Sequence, residues 1–357
     1  MKVHFDNNVT YLKACGITLM VLCHCRHGIP YFNEFVYMFH MPLFFFVSGY
    51  CFKERYISEP FRFVWQRIKS IYWPYVKWSL LFLALHNVFC SLNIYDYSGL
   101  YSIQDVLSII KRIFIKMEGH EQLLGGYWFL KSLFWGYIIF FVVIVISKFC
   151  IKLRNIVGLN VEYITNVKIG GVALSVILLL LIYYDFPMKV LSQVVLAAIF
   201  ILSGYLFKSH NVKIFNKRGI FLLFALVGVA CVIWNMAMHA LPYSVYRVIP
   251  YIVTGIIGTW MIYSLPWKSV KGKTADVFQF IGNNTLTILT WHFLSFKVVS
   301  LLIIHIYGLP VERLAEFPVI TEYSGKGWWI AYFLFAMLAT CGIAYCNRWT
   351  KSPWLKL

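Results

Sequence analysis

Acidic residues, and charges in general, are scarce in this sequence. Asp and Glu number only 14 among 357 residues, and all charged residues together make up 13% of the chain. A soluble domain carries about 25% charged and roughly 45–50% apolar residues, whereas 61% of this chain is hydrophobic. This composition excludes a soluble globular domain and a disordered chain, and it predicts an integral membrane protein.

Motifs of the common cofactor and metal sites are also lacking. Cys23 and Cys25, the closest pair among nine cysteines, have the wrong spacing for a zinc or redox motif. We expect the cysteines to be small buried hydrophobes. The sequence has no P-loop, no dinucleotide-binding glycine pattern and no metal-ligand spacing. We therefore expect no bound metal, no resident cofactor and no nucleotide hydrolysis.

Apolar runs of the length that crosses a bilayer, about 20 residues, are abundant. Ten such runs predict an all-α, polytopic membrane protein that forms a single domain over residues 1–357. The least secure boundary is Tyr184–Pro187, which separates two short helices. The predicted spans cover residues 11–25, 35–52, 70–91, 126–147, 169–184, 190–207, 219–240, 248–265, 278–305 and 327–346.

The formal net charge of +18 is unevenly distributed along the chain. Its basic excess is concentrated in the connections that follow the even-numbered spans, whereas the other connections carry basic and acidic residues in nearly equal number. Because Lys and Arg accumulate in cytoplasmic loops, both termini are predicted to be cytoplasmic and the protein to be a multi-pass protein of the cytoplasmic (inner) membrane. The basic excess is thus a topology signal, and we expect no nucleic-acid partner.

Four lysines and no acidic residue lie within the predicted spans. An ionisable group inside a membrane is costly and usually faces a cavity, so each lysine is a functional candidate. For Lys13 and Lys77 the alternative is snorkelling of the ammonium group to an interface. The four are Lys13, Lys77, Lys131 and Lys297.

His24 and Lys13 are eleven residues apart, which places both on one face of a helix and about 16 Å apart along its axis. Such a face presents a cation near the cytoplasm and a titratable base further out. His40 and His292 also lie in spans, where a hydrogen-bonded packing role is the simpler interpretation. Ser48 and Gly49 allow close helix approach.

Five segments together resemble the membrane-bound acyltransferase-3 family, in particular its fucose 4-O-acetylase-like branch. They occur in family order, and the ten-span layout agrees with the family. One departure is that Lys13 stands where the family often has Arg, so a bidentate guanidinium grip is replaced by a point charge. The segments are YLKACGITLMVLCH (11–24), FHMPLFFFVSGYCFK (39–53), RIKSIYWPYVKW (67–78), GGYWFLKSLF (125–134) and IGNNTLTILTWHF (281–293).

The resemblance implies O-acetylation, the transfer of an acyl group, usually acetyl from acetyl-CoA as cosubstrate, to a hydroxyl of a sugar. The acceptor would be a polysaccharide of the cell envelope or its lipid-linked precursor. A neutral imidazole, with an unperturbed pKa of about 6.5, can activate such a hydroxyl. His24 is the predicted base, and His292 is the reserve candidate. Asn284 and Thr285 are expected to orient a ligand or stabilise an oxyanion, with helix capping as the alternative.

The polyanionic donor would favour the basic cytoplasmic face. Arg67 and Lys69 lie beside aromatic residues there, and Trp128 and Lys131 are expected to line the same cavity; positive-inside anchoring is the alternative. His40 and Ser48 complete the predicted cavity. His24 lies toward the predicted outer side, which leaves open whether the donor threads inward or the acyl group is relayed. A transporter or flippase for a glycan or related anionic molecule is the competing function, although no intramembrane carboxylate supports it.

Overall fold

A computed structural model describes residues 7–96, 99–119, 121–156, 163–183, 189–209, 216–235, 238 and 245–349. The described residues are predominantly helical and contain no strand. The α-helices are α1 (Asn7–His24), α2 (Phe32–Tyr37), α3 (His40–Tyr50), α4 (Pro60–Arg67), α5 (Trp73–Ser91), α6 (Ile103–Lys116), α7 (Trp128–Ile156), α8 (Tyr163–Tyr183), α9 (Lys189–Ser209), α10 (Lys217–Trp234), α11 (Val245–Tyr263), α12 (Gly272–Asn283), α13 (Thr285–Tyr307), α14 (Thr321–Tyr323) and α15 (Trp329–Trp349).

Short 3₁₀ and π segments link several of these helices. The π-helical turn Ile68–Tyr72 joins α4 to α5, and a second one, Ser324–Trp328, leads into α15. The 3₁₀ segments are Glu54–Ile57, Gln122–Tyr127, Trp267–Ser269 and Val311–Ala315.

Five helical stretches within the described residues are long and apolar enough to cross a membrane, so this is a multi-pass membrane protein. They overlap the fourth, sixth, eighth, ninth and tenth predicted spans, while ten spans and cytoplasmic termini stay predictions. Tyr184–Pro187 lies outside the described residues. The five stretches are Gln122–Cys150, Ser192–Ser209, Arg247–Ser269, Thr285–Tyr307 and Thr321–Asn347.

Two predicted spans are interrupted in the structure. The second breaks between Tyr37 and His40, and the imidazole Nδ1–H of His40 donates to the carbonyl oxygen of Val36 (3.0 Å) across the break. The ninth breaks at Asn284, where α12 ends and α13 begins. Apolar composition does not reveal such breaks, because apolar residues occur in broken and continuous helices alike.

The long connection between the third and fourth predicted spans contains a helix that the apolar pattern did not predict. Ser102 and Asp105 form a capping box at the start of α6, which is a strong helix-start signal. Helix α6 runs antiparallel to α5: the Asn87 side chain bonds to the backbone of Tyr101, and the Tyr72 hydroxyl donates to the carbonyl of Phe114 (2.7 Å). The connection is therefore folded back along α5.

The chain divides into two compact units that alternate along the sequence. Unit 1 comprises Met1–Leu12, Glu34–Ile68 and Lys131–Val270, and unit 2 comprises Lys13–Asn33, Lys69–Leu130 and Lys271–Leu357. The single domain predicted over 1–357 stays a prediction.

Unit 1 is held together by close approach of α3 to α9. A Cβ on Gly49 would run into the carbonyl group of Ile201, and one on Gly204 would run into the carbonyl group of Phe46. Each helix thus places a glycine against the backbone of the other, as small residues do in membrane helix pairs. The predicted packing role of the Ser48–Gly49 pair is confirmed for Gly49.

Unit 2 is organised around α13. This helix packs against α15 and against the 3₁₀ segments Gln122–Tyr127 and Val311–Ala315. The Tyr332 hydroxyl links the two helices through Ser300 (2.8 Å) and also accepts a bond from the Ile320 amide (3.2 Å). The end of α1 joins this assembly through a hydrogen bond from the Ser324 hydroxyl to the carbonyl of Cys25.

Candidate active site

Helices α1 and α13 bring His24 and His292 together in unit 2. His24 is the last residue of α1, and His292 lies two turns into α13. His24 Nδ1 and His292 Nε2 are 3.0 Å apart, which is hydrogen-bond distance. We call these two residues the histidine pair. The sequence predicts both as site residues, but it does not predict their contact, because they are 268 residues apart in the chain.

The two members of the histidine pair differ in burial. His292 is 0% exposed, and its Nδ1 lies 2.9 Å from the carbonyl oxygen of Leu289 and 3.1 Å from that of Ile288. Both of its ring nitrogens are therefore engaged within the protein. His24 is only half-buried.

Aromatic rings form the wall beside the histidine pair. The ring of Phe293 stacks on His24 with centroids 4.8 Å apart, and Phe317 lies 4.6 Å from Phe293. A Cβ on Gly125 would meet both phenylalanine rings at ordinary contact distance. The GGY motif thus contributes a side-chain-free surface next to these rings.

Lys297 holds the chain segment that carries Phe317. We call residues 309–320, between α13 and α14, the strap. Lys297 is 2% exposed, and its ammonium group donates to the carbonyl oxygens of Leu314 (2.7 Å) and Glu316 (2.8 Å). The lysine that the sequence marked as a functional candidate therefore has a structural function, the attachment of the strap to α13.

Lys13, Asn284 and Thr285 lie on the same two helices as the histidine pair. Lys13 is half-buried on α1, and the continuous helix confirms its predicted relation to His24. Thr285 is seven residues before His292, which places it on the same face of α13 about 10 Å away. Asn284 does not cap α13 through its side chain; its amide donates instead to the carbonyl of Phe280 at the end of α12 (2.7 Å).

Arg67 and Lys131 belong to unit 1. The Arg67 guanidinium lies over the rings of Tyr137 (4.7 Å) and Phe63 (5.5 Å), and its Nε is buried without a hydrogen-bond partner in the described structure. Lys131 is half-buried on α7. Arg67 therefore combines a cation, aromatic surface and an unsatisfied donor.

Lys69 and Trp128 belong to unit 2. Lys69 is exposed within the π-helical turn Ile68–Tyr72, and Trp128 is half-buried at the start of α7. The donor-binding role of both residues stays a prediction.

His40 and Ser48 bond within their own chain segment in unit 1. His40 bridges the break before α3, and the Ser48 hydroxyl donates to the carbonyl of Phe44 (2.9 Å). The Ser48 carbonyl in turn accepts from the Tyr137 hydroxyl. These bonds fit packing roles, and the predicted cavity role of both residues stays a prediction.

A buried histidine–glutamate pair in unit 2 was missed by sequence reasoning. His86 Nδ1 lies 3.0 Å from Glu121 Oε2, His86 Nε2 lies 2.8 Å from the carbonyl of Gly99, and the ring stacks on Tyr101 at 3.6 Å. Burial raises the pKa of the Glu121 carboxyl, and His86 partly opposes this rise. The pair fastens both ends of the 92–125 connection to α5. Nothing in the local sequence pairs these two residues, although the capping box at Ser102 indicates that the connection is folded.

Metal ligation has no support in the described ranges, where no three His, Cys, Asp or Glu side chains come together. None of the nine cysteines forms a disulfide; Cys51 and Cys346 are exposed, contrary to the prediction that all are buried, while the others are buried or half-buried.

The arrangement defines a class: a multi-pass membrane protein with an imidazole at a helix end, held by a second imidazole and flanked by aromatic rings. A family model described as an acyltransferase domain, that of the acyltransferase-3 family, matches residues 6–348. The chain therefore belongs to this family and is a membrane acyltransferase. No curated protein and no solved structure matches it.

Proposed function

We propose that the protein is a membrane O-acyltransferase that moves an acyl group, acetyl in the first instance, from acyl-CoA to a sugar hydroxyl. The acceptor is a surface glycan or its lipid-linked precursor, in the fucose 4-O-acetylase-like manner, and the protein works in the cytoplasmic membrane. The observation that carries the proposal is the histidine pair at the end of α1, inside a chain that matches an acyltransferase domain over residues 6–348.

His24 is the general base of this proposal. A base needs a nitrogen that substrate can approach within hydrogen-bond reach. His292 is fully buried, with Nδ1 at two backbone carbonyls and Nε2 at His24, so it has no nitrogen to offer. His24 is half-buried at the end of α1, and its contact with His292 is made through Nδ1.

The proposed reaction needs one proton acceptor and no metal step. His24 takes the hydroxyl proton as the sugar oxygen attacks the thioester carbonyl carbon, forming the new C–O bond. The tetrahedral intermediate then collapses with cleavage of the C–S bond. The sulfur leaves as thiolate and recovers the proton from the His24 imidazolium, which restores the base. The products are the acyl ester and the free thiol.

Cationic side chains serve the polyanionic donor in this proposal. Lys13 lies about 16 Å from His24 along α1, which separates a donor phosphate from the reacting carbonyl along one helix. The buried Nε of Arg67, without a partner in the described structure, is a donor that suits a phosphate oxygen. Lys69, Trp128 and Lys131 complete the proposed donor-binding set.

Four further residues are proposed to line the acceptor or donor cavity. Thr285 shares the His292 face of α13, and Asn284 precedes it at the helix break, which suits orientation of a ligand below the histidine pair. The cavity role of His40 and Ser48 is carried by the sequence alone and stays a prediction.

The test uses purified full-length protein in detergent with acetyl-CoA, with and without short glycan acceptors of the host envelope. We expect slow acetyl-CoA hydrolysis alone and faster, acceptor-dependent formation of CoA thiol, with loss of both activities in His24→Ala. His305→Ala is the matched control, because His305 is an exposed histidine on α13. Full activity in His24→Ala would refute the base assignment, and inactivity of the wild type with every donor and acceptor would refute the proposed function.

A further inference from the structure

We propose that His292 is a positioning residue that fixes the tautomer of His24, so that Nε2 of His24 is the nitrogen that acts as the base. The inference rests on the proposed function for its catalytic consequence, but the tautomer itself is a property of the protein alone.

The first step concerns the hydrogen on His292 Nδ1. This nitrogen lies 2.9 Å from the carbonyl oxygen of Leu289 and 3.1 Å from that of Ile288. A carbonyl oxygen can only accept a hydrogen bond, so the hydrogen must be on Nδ1 of His292. In a neutral imidazole only one nitrogen carries hydrogen, which leaves the lone pair of His292 on Nε2.

The second step transfers this constraint to His24. The 3.0 Å contact between His292 Nε2 and His24 Nδ1 requires one hydrogen between the two nitrogens. Because His292 Nε2 carries a lone pair, that hydrogen belongs to His24 Nδ1. The lone pair of neutral His24 is therefore on Nε2, at the opposite side of its ring.

The third step concerns the orientation of the His24 ring. The rings of the histidine pair are within 14° of parallel, and Phe293, the next residue after His292, stacks on His24 at 28°. One turn of α13 thus supplies both the hydrogen-bond acceptor and the ring face that hold His24. The two backbone carbonyls, by fixing His292, determine where the lone pair of His24 points.

The fourth step links this geometry to rate. In the Ser-His-Asp arrangement, the aspartate holds the histidine in the right tautomer and stabilises the imidazolium. Loss of the right tautomer lowers the rate strongly, although the aspartate itself takes up no proton. His292 performs the corresponding task with a neutral acceptor. When His24 takes the substrate proton, its Nδ1–H becomes a charge-assisted donor to His292, which strengthens the bond in the charged state.

Two variants of His292 separate positioning from packing. In His292→Gln the amide oxygen can accept from His24 Nδ1, whereas His292→Leu removes the acceptor and keeps an apolar side chain. We expect His292→Leu to lower kcat about 100-fold with the KM for acetyl-CoA within threefold, and His292→Gln to recover at least a tenth of wild-type kcat. The control is His305→Gln, because His305 is an exposed histidine on the same helix. This variant should leave kcat and KM unchanged.

The deciding readout does not depend on activity. ¹⁵N-histidine NMR of the full-length protein in detergent, assigned with His24→Gln, reports which nitrogen of His24 carries hydrogen. We expect the Nδ1–H form in wild type and in His292→Gln, and a rise of the Nε2–H form in His292→Leu. An Nε2–H form in wild type, or an unchanged tautomer in His292→Leu, would overturn the inference. If the tautomer is as expected but no acyl transfer occurs, the proposed function fails and the positioning geometry stands.

Discussion

The two units of the protein differ in the side chains that bond between distant segments. In unit 1 tyrosine hydroxyls make such bonds, from Tyr205 to Glu54 (2.9 Å) and from Tyr137 to the carbonyl of Ser48, and the closest contacts are made by glycines against backbone. In unit 2 buried titratable side chains bond across the sequence, as in the histidine pair and in the pair of His86 with Glu121.

Both kinds of bond position distant segments, but they differ in the chemical groups that they hold. A buried side chain that bonds to a distant segment fixes the relative placement of both, because losing either partner leaves a costly unsatisfied group. Both units contain bonds of this kind, and those of unit 2 hold imidazole groups, which can act as a general base.

The largest effect is expected from removal of the base in unit 2. General-base catalysis contributes about 10²- to 10⁴-fold to rate, so His24→Ala should lower kcat by that factor. It should also lower the thermal unfolding midpoint modestly, because Nε2 of the buried His292 loses its partner. Acetyl-CoA turnover and thermal unfolding in detergent measure the two quantities. A lower midpoint with an unchanged kcat would mean that His24 is a packing residue.

The next effect is expected from steric substitution in unit 1. Gly49→Ala places a methyl group against the carbonyl of Ile201, and overpacking of this kind costs about 1–3 kcal/mol or more. The thermal midpoint should fall clearly. Gly228→Ala is the matched control, because a Cβ there meets nothing within 4 Å. Equal midpoints for the two variants would contradict the close helix contact.

Loosening the strap in unit 2 should have an intermediate effect. Lys297→Met leaves the carbonyls of Leu314 and Glu316 without their donor, and each unsatisfied buried group costs about 1–3 kcal/mol. We expect a lower thermal midpoint and a higher KM for the acceptor, measured at saturating acetyl-CoA, because Phe317 loses its support beside Phe293. Lys326→Met, at an exposed ion pair with Glu322, should change neither quantity. A Lys297 variant indistinguishable from this control would argue against the strap.

The smallest effect is expected at Glu121. Burial raises the pKa of this carboxyl, so the folded protein binds its proton more tightly than the unfolded chain does. The stability that it contributes is thus full below the unfolded pKa and declines as the pH rises through the folded pKa. Glu121→Gln should abolish this decline, and at pH 7 its thermal midpoint should equal or exceed that of wild type.

Thermal unfolding of both proteins between pH 4 and pH 8 measures the Glu121 effect. The thermal midpoint of wild type minus that of Glu121→Gln should be largest at the acid end of this pH range. A difference that grows in favour of wild type as the pH rises would mean that the ionised pair with His86 stabilises the fold.

Much of the architecture follows from the sequence because apolar length and charge distribution are local properties. The helical class, a membrane location and the relation of Lys13 to His24 on one helix follow from composition and the helical repeat. The breaks before His40 and at Asn284 do not, because hydropathy is similar on both sides of each break, although the side-chain bonds there are local.

The candidate site was predictable as a set of residues but not as a geometry. Resemblance to the family selected His24 and His292, yet only the fold shows that they touch and that His292 is the buried member. The attachment of the strap by Lys297 and the pairing of His86 with Glu121 join distant segments through side chains. No local pattern encodes such partners, which is why the sequence alone marks Lys297 as a functional candidate.

Mass spectrometry of the cell-surface glycans tests the central claim most directly. Cells with the intact gene, cells without it and cells with the His24→Ala variant would be compared. We predict that one acetyl-sized substituent is present with the intact gene and absent in the other two, on a glycan that is otherwise complete. Loss of the whole glycan without the gene would indicate transport or polymerisation, and an unchanged substituent with His24→Ala would contradict the proposed mechanism.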